Sequence, residues 1–198
     1  FGFEDYLKAG EVTASACDQV RRTVWRIQNH AGNAPFLNKN VKHMLRFEAL
    51  LTVFPDAAFI VVERDLGEGA LSLLEVRRQL SPAASRWFSV RPPSYPDLVT
   101  LPPREQIARQ VVDLTSRMER DLARLPASRV ARISYRDFCR DPERLSAIIL
   151  RFHPDVAPAN PGCPPFVCHS REASDPEERA LVARTRELEA SLRYVRTP

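Results

Sequence analysis

The sequence lacks the features of a membrane protein, a secreted disulfide scaffold or a nucleic-acid-binding arm. No apolar run approaches the roughly 20 residues that a membrane-spanning helix needs, and no signal peptide opens the chain. Four cysteines do not make the disulfide framework of a small secreted domain in a chain of 198 residues. Lysine and arginine are not gathered into a dense block. We therefore expect a cytoplasmic protein, a single domain over residues 1–198, without a membrane span or a nucleic-acid partner.

The proline-rich stretch GCPPFVCH contains Cys163, Cys168 and His169, and His153 precedes it. Structural zinc sites place their ligands in regularly spaced pairs, and no second cysteine pair accompanies this one. The spacing therefore predicts free thiols in a loop and no metal site.

The charge balance points to anionic ligands. The net charge is +4 and the isoelectric point is near 9.1. Because positive and negative residues are well mixed along the chain, the alternative is a mildly basic surface with no particular ligand. Any preference for an anion should then be confined to one local site.

Hydrophobic periodicity predicts helices that alternate with short strands, which favours an α/β fold with a mostly parallel sheet. The predicted helices are one capped by Thr13 or Ser15, HMLRFEALLTVF up to Pro55, LGEGALSLLEVRRQL, REQIARQVVDLTSRMERDLARL, RDPERLSAIILRF capped by Asp141, and DPEERALVARTRELEASLRYV. The predicted strands are Phe36–Asn40, AAFIVVE, which we expect to be buried on both faces, and RVARIS.

Between the third and fourth of these helices lies a long loop, from Ser81 to Pro103, rich in proline and aromatic residues. Long loops in compact domains are usually functional or disordered, and the aromatic content predicts an ordered one. Trp87, Phe88 and Tyr95 are candidates to line a substrate cleft. The alternative is that these side chains anchor the loop.

Arg64 follows the second predicted strand, and Ser72 lies eight residues further on in the next helix. Ligands of open parallel sheets bind beyond the carboxyl ends of the strands. The guanidinium of Arg64 suits a phosphate, and the hydroxyl of Ser72 near the start of a helix can face the same anion. The alternative is that Arg64 pairs with Asp65 or Glu68 and that Ser72 lies on an exposed helix face.

The stretch PFLNKNVKHMLRFEALLTVFPDAAFIVVERDLGEGALS resembles the sulfotransferase family, in the branch with many bacterial enzymes and relatives of carbohydrate sulfotransferases. The family pattern joins Lys-x-Pro-x-His-x-x-Arg, Leu-x-x-x-Phe-Pro-x-Ala, an apolar strand, Arg-Asp-Pro and a serine eight residues after that arginine. WFSVRPP, EQIARQ and RISYRDFCRDPERL also resemble the family. The matching positions are Lys39, His43, Arg46, Leu50, Phe54, Pro55, Ala57, Arg64, Asp65 and Ser72.

The resemblance implies a P-loop-NTPase-like parallel sheet flanked by helices. It also implies transfer of a sulfuryl group from 3′-phosphoadenosine 5′-phosphosulfate to a hydroxyl or amine of a small molecule or glycan, with no metal. Arg64 and Ser72 would hold the 3′-phosphate, and Ser170 and Arg171 could add a second contact to it. Tyr135 matches a position associated with the nucleotide pocket, where it would contact adenine; core packing is its alternative.

Two residues are candidates for the reacting end of this donor. The ammonium of Lys39 could stabilise charge that develops on the transferring group, and its alternative is an exposed loop lysine. His43 could take the proton of the acceptor hydroxyl, and its alternative is a structural role in the helix that it begins.

Several departures from the family pattern leave other functions open. Val41 and Leu66 stand where the family has prolines, and no Gly/Ser/Thr-rich P-loop-like segment precedes Phe36. Since the chain begins at Phe1 rather than Met, we expect that segment upstream, where a membrane anchor is also conceivable. The alternatives are a kinase of the P-loop fold and a non-catalytic protein that binds 3′-phosphonucleotides.

Overall fold

A computed structural model describes residues 5–156 and 162–195. Three short 3₁₀ turns lie at Ala9–Glu11, Val41–Leu45 and Ala127–Arg129. The helices and strands, in chain order, are α1 (Ala14–His30), α2 (Phe47–Val53), β1 (Phe59–Glu63), α3 (Leu66–Leu80), α4 (Tyr95–Leu98), α5 (Pro103–Leu122), β2 (Val130–Ser134), α6 (Tyr135–Arg140), α7 (Glu143–Phe152) and α8 (Pro176–Val195). In the described ranges, no helix is both long and apolar enough to cross a membrane.

The described residues divide into two compact units. The helical unit comprises residues 5–6, 64–120 and 169–195, and contains α3, α4, α8 and nearly all of α5. The strand unit comprises residues 7–63, 121–156 and 162–168, and contains α1, α2, both strands, α6 and α7. Residues 64–120 of the helical unit therefore lie between β1 and β2 in the sequence.

The core of the helical unit lies where α3, α5 and α8 meet. Its buried side chains, supplied by these helices and by the loop after α3, are Ala70, Leu71, Leu74, Ala84, Ile107, Ala108 and Leu181. Gly67 permits the close contact between α3 and α8, because a Cβ at this position would lie 3.0 Å from a methyl carbon of Val182. It would also lie 3.0 Å from Oδ1 of Asp65, the side chain that caps α3 by accepting the backbone N–H of Glu68.

A buried arginine of α3 organises the loop that follows this helix. The guanidinium of Arg77 donates to Oε1 of Gln106 at 2.8 Å and to Oε1 of Gln110 at 2.7 Å, and it lies 4.6 Å from the ring centroid of Trp87. Burial lowers the pKa of Arg77 to about 10, which leaves it charged at neutral pH. The ring of Trp87 in turn meets Tyr95 edge-on, with centroids 4.7 Å apart.

The same two glutamines fix the loop backbone. The amide of Gln110 donates to two loop carbonyls and that of Gln106 to two others; these are the carbonyls of Phe88, Val90, Val99 and Leu101. The prediction of an ordered loop is therefore confirmed. The contacts of Trp87 and Tyr95 are those expected of loop anchors.

The strand unit contains a parallel pair of strands, which confirms the predicted α/β class. Phe59 lies opposite Val130, and Glu63 lies opposite Ser134. The expectation that β1 is buried on both faces is wrong, because Val62 is 48% exposed. In a strand successive side chains point to opposite faces, and only the face that carries Val61 reaches the core.

The predicted strand at Phe36–Asn40 is also wrong, since these residues form irregular coil. Two asparagines take part in local hydrogen bonds instead. The side chain of Asn40 accepts the backbone N–H of Lys42 and so caps the 3₁₀ turn, and that of Asn38 contacts His43. Such local bonds compete with pairing between strands.

Two helix boundaries differ from prediction. The helix expected from His43 begins at Phe47, because the chain first makes the 3₁₀ turn and Arg46 departs from helical backbone angles at φ −139°. Asp141 does not cap the start of α7. It is the non-helical residue that follows the last residue of α6, and Pro142 is the N-cap residue of α7. The other predicted helices are confirmed, with Thr13 as the cap of α1.

Candidate functional site

Arg64 directly follows the last residue of β1 and precedes the cap residue of α3. Its Nε donates to Oε2 of Glu68 at 3.2 Å, across one turn of helix. Its Nη2 donates to the backbone carbonyl of His169 at 2.6 Å, a residue far along the chain. Pairing of Arg64 with Glu68, which the sequence offered as an alternative, is therefore present. The position of Arg64 after a parallel strand is also as predicted.

Ser72 lies in the second turn of α3. Its hydroxyl donates to the backbone carbonyl of Glu68 at 3.0 Å, a bond that Ser and Thr commonly make within helices. The hydroxyl proton is therefore directed at the helix backbone. An anion that approached Ser72 would have to turn this hydroxyl away from the carbonyl.

The segment that precedes α8 meets the same turns of α3. The hydroxyl of Ser170 donates to Oε1 of Glu68 at 3.0 Å. The guanidinium of Arg171 donates to Oε1 of Glu178 at 2.6 Å, to Glu75 and, more distantly, to the carbonyl of Leu71 at 3.5 Å. The structure thus brings four predicted residues together around one that was not predicted as a ligand. We call this group the Arg64 cluster: Arg64, Glu68, Ser72, Ser170 and Arg171.

Carboxylates balance the arginines at this end of the helical unit. Glu178 is buried, and the backbone N–H and hydroxyl of Ser174, together with neighbouring guanidiniums, lower its pKa even though burial opposes the charge. The ion pairs are Arg64 with Glu68, Arg171 with Glu75 and Glu178, and Arg78 with Asp175, Glu177 and Glu178. Of these residues, the sequence indicated Arg64 and Arg171 but not Arg78 or Glu178; for Glu178 the signal was the acidic first turn of α8.

The two residues predicted for the reacting end belong to the strand unit. Lys39 is exposed in the coil at residues 36–40. His43 is half-buried in the 3₁₀ turn, and its Nε2 lies 3.1 Å from Oδ1 of Asn38. Burial, followed by the nearby positive charge of Arg46, lowers the pKa of His43, so the imidazole is neutral at neutral pH. A neutral imidazole is the form that a general base requires.

The surroundings of His43 determine which nitrogen can act. Its Nδ1 is buried and has no hydrogen-bond partner. With Oδ1 of Asn38 as the acceptor, Nε2 carries the proton and the lone pair lies on buried Nδ1. His43 can therefore accept a proton at Nε2 only after Asn38 has released this nitrogen and the ring proton has moved to Nδ1.

Tyr135 is half-buried and is the first residue of α6, directly after β2. The hydroxyl of Ser134 caps this helix by accepting the backbone N–H of Asp137 at 3.0 Å. A residue at the carboxyl end of a parallel strand is in the position where such sheets bind ligands.

Residues 5–156 and 162–195 contain no group of three or more His, Cys, Asp or Glu side chains that could hold a metal ion. The four cysteines are thiols outside any disulfide: Cys17 and Cys139 are buried, and Cys163 and Cys168 are exposed. The cysteines are thus thiols, as predicted.

Comparison with known proteins agrees with the sequence pattern around these residues. The family model described as the Sulfotransferase family matches residues 3–156. No curated protein matches the chain, and no solved structure matches it. Ser170 and Arg171 lie beyond the matched residues, whereas Arg64, Ser72, Lys39, His43 and Tyr135 lie within them. Because the match covers most of the chain, the chain belongs to the sulfotransferase family.

Proposed function

We propose that the protein transfers a sulfuryl group from 3′-phosphoadenosine 5′-phosphosulfate to a hydroxyl or amine of a small molecule or glycan. Family membership supports sulfuryl transfer in general. The observation that carries the choice of donor is the Arg64 cluster, in which residues about a hundred positions apart meet beside the helix that follows β1. We further propose that the fold is P-loop-like, with α3 as the helix beside the 3′-phosphate.

In this reaction the acceptor oxygen or nitrogen attacks sulfur in line with the bond to the 5′-phosphate. That sulfur–oxygen bond breaks, and adenosine 3′,5′-bisphosphate leaves with the electron pair. The acceptor proton passes to a base. No oxidation or reduction takes place, so the protein has to orient the reactants and stabilise the developing charge.

Arg64 is the proposed ligand of the 3′-phosphate. Its planar guanidinium can offer two parallel N–H groups to a phosphate, which makes such pairs strong and directional. Its bond to the carbonyl of His169 also ties the segment with Ser170 and Arg171 to α3. Ser72 and Arg171 would contribute after exchanging their present partners, the carbonyl of Glu68 and the carboxylates of Glu75 and Glu178.

The remaining predicted residues have the following proposed roles. Lys39, exposed on the coil, would stabilise charge on the departing phosphate. His43 would be the base once Asn38 has released Nε2 and the ring proton has moved to Nδ1, which leaves the lone pair on Nε2 for the acceptor's proton. Tyr135 would contact the adenine ring by stacking or through its hydroxyl.

Calorimetric titration with adenosine 3′,5′-bisphosphate and with 5′-AMP tests the donor assignment, since the two ligands differ only in the 3′-phosphate. We expect the full-length protein to prefer the bisphosphate. Arg64→Ala should weaken bisphosphate binding roughly 10- to 100-fold, the value of a charged hydrogen bond, and leave 5′-AMP binding nearly unchanged. Arg86→Ala, which removes an exposed arginine of the same unit, is the matched control.

Sulfuryl transfer itself is measured with labelled donor and a panel of alcohols and amines. Equal affinity for the two nucleotides, or a preference that survives Arg64→Ala, would rule out the assignment of the 3′-phosphate to this cluster. Binding of the bisphosphate without transfer to any acceptor would instead favour a non-catalytic nucleotide-binding protein.

A further inference from the structure

The buried carboxylate of Glu68 is unexpected in an anion-binding site, because it lies among the groups that would donate to the anion. Its two oxygens accept from Nε of Arg64 and from the hydroxyl of Ser170, the donors that a phosphate would use. A carboxylate only accepts hydrogen bonds, and its two oxygens provide about four lone-pair positions. A carboxylate can therefore accept a hydrogen bond from a ligand beside those that it accepts from protein donors.

The charges around the cluster also disfavour a dianion. Two guanidiniums, of Arg64 and Arg171, face three carboxylates, of Glu68, Glu75 and Glu178. Arg78 adds a positive charge but is itself paired with Asp175 and Glu177. A fully ionised phosphate would thus enter a site with no surplus of positive charge, and repulsion from Glu68 would be the nearest unfavourable interaction.

Phosphate and sulfate esters differ in whether they can carry, near neutral pH, a proton that they donate to the carboxylate of Glu68. A phosphate monoester has a second pKa near 6, so a monoprotonated form is accessible close to neutral pH. Its P–OH group is a donor that a carboxylate can accept. A sulfate ester is a strong acid with no proton at neutral pH, so it presents only acceptor oxygens to Glu68.

We propose that Glu68 is a specificity-determining residue that accepts a hydrogen bond from the proton of a monoprotonated 3′-phosphate, so that the nucleotide binds with uptake of one proton and sulfate is rejected. This inference rests on the proposed function, since it presumes that the 3′-phosphate meets the Arg64 cluster. Its consequence for a sulfotransferase is directional: the sulfate end of the donor cannot enter the site of the phosphate end.

The pH dependence of this site involves charged groups on three segments. At the start of α3, Arg64 donates to the carboxylate of Glu68, and Asp65 accepts the backbone N–H of Glu68. On the segment before α8, Arg64 meets the backbone carbonyl of His169, and Arg171 pairs with Glu75. Glu178 contributes from α8 through Arg171. The test therefore compares the nucleotide affinities of several variants at the same pH, and it does not depend on the pH profile of one protein alone.

The principal measurement is the ratio of the Kd for 5′-AMP to the Kd for adenosine 3′,5′-bisphosphate, in which the shared 5′-phosphate cancels. For the unaltered protein we expect the ratio to fall roughly 50-fold from pH 6 to pH 8, as the 3′-phosphate loses its second proton. In Glu68→Gln, whose uncharged amide can donate to a dianionic phosphate as well as accept from a P–OH group, the ratio should not fall. Titrations of the unaltered protein in buffers of different ionisation enthalpy should show uptake of about one proton at pH 8.

Inorganic sulfate provides the second readout. We expect it not to compete with the bisphosphate in the unaltered protein and to compete at least tenfold better in Glu68→Gln. The matched control is Glu75→Gln, which removes a neighbouring carboxylate that contacts Arg171 but neither Arg64 nor Ser170. Glu75→Gln should retain the fall in the ratio between pH 6 and pH 8.

The outcomes separate this inference from the proposed function. Bisphosphate binding without proton uptake, or with the same pH profile in Glu68→Gln, overturns the role of Glu68 and leaves the 3′-phosphate site intact. An equal change in Glu68→Gln and Glu75→Gln overturns it too, because the effect would then be one of total charge. No preference for the bisphosphate at any pH overturns the proposed function and this inference together.

Discussion

The helical unit and the strand unit hold their candidate residues in different ways. In the helical unit, Arg64 and Arg171 are fixed by nearby carboxylates, of Glu68 and Glu178, and by groups about a hundred positions away, the carbonyl of His169 and the carboxylate of Glu75. In the strand unit, Lys39 is exposed on irregular coil, and His43 is held by Asn38. The residues proposed to hold the 3′-phosphate thus have protein partners that the phosphate has to displace. Of the two residues proposed for the reacting end, Lys39 is exposed, whereas His43 must first lose its contact with Asn38.

Two arginines, one in each unit, differ in how far water can replace them and therefore in their expected contribution to stability. Arg77 of the helical unit is fully buried and donates to the side chains of Gln106 and Gln110. Arg21 of the strand unit donates to the carbonyls of Thr52 and Val53 at the end of α2, and its side chain is 46% exposed. Water can replace Arg21 at those carbonyls, but it cannot readily reach the glutamines.

The largest effect that we expect is on stability, and it tests this difference between the two arginines. Arg77→Met should lower the free energy of unfolding by about 2 to 4 kcal/mol, because it leaves two buried amide oxygens without donors. Arg21→Met should cost less than about 1 kcal/mol, since water can satisfy the same number of carbonyls. Urea unfolding of both variants measures the difference. Equal costs would mean that burial does not distinguish the two arginines.

The second prediction concerns the division between binding and reaction. Lys39→Ala should lower kcat for sulfuryl transfer about 100-fold, the usual loss when one charge-stabilising donor is removed. The Kd for adenosine 3′,5′-bisphosphate should change less than twofold. Arg64→Ala should show the opposite pattern, with a raised Kd for the bisphosphate. A rise in Kd for Lys39→Ala that matches its loss of activity would contradict the separation of roles.

Alanine substitutions at two glycines of α3 should have smaller effects on stability, and the two effects should be opposite in sign. Gly67→Ala should destabilise the protein by about 1 kcal/mol, because its Cβ would press on Val182 and on the cap residue Asp65. Gly69→Ala should stabilise it by about 0.5 to 1 kcal/mol, since its nearest neighbour would be a methyl carbon of Val111 at 3.9 Å and alanine favours helix. Thermal unfolding of both variants tests this. Stabilisation by Gly67→Ala would show that α8 can move away from α3.

The smallest expected effect is a pH dependence of the helical unit. Hydrogen bonds from Arg184, reinforced by Arg109, lower the pKa of Glu105 to about 2 although partial burial opposes the charge. Because this pKa is lower in the folded protein than in the unfolded chain, the stabilisation is present above about pH 4.5 and is lost as the pH falls toward 2. The difference in urea midpoint between the unaltered protein and Glu105→Gln should shrink over that range. A constant difference would contradict the assignment to Glu105.

Much of the fold could be predicted where local signals agree. The helix from Leu66 to Leu80 was predicted over its full length because Asp65, the apolar spacing and Ser81–Pro82 all mark the same segment. The strand predicted at residues 36–40 is absent because strand formation depends on a partner that local sequence does not specify. For the same reason an apolar run could not reveal that one face of β1 is exposed at Val62.

The candidate site was predictable in part. Its spacing indicated Arg64 and Ser72, and Arg171 was named as an additional contact; all three belong to the Arg64 cluster. The central position of Glu68 was not predicted, because a sequence cannot show whether an arginine pairs with a ligand or with its own chain. The neutral state of His43 depends likewise on burial and on Arg46, which only the folded arrangement provides.

The parallel pairing of β1 with β2 has a consequence for the order of folding. Phe59 lies opposite Val130, so the whole segment 64–120 must be synthesised before the two strands can meet. Contacts between α1 and α2, such as that of Arg21 with Val53, span 32 positions and can form much earlier. Closing so long a loop is slow, and during that time the backbone of β1 has no partner in β2. We therefore expect the appearance of β2 to set the pace at which the strand unit folds during translation.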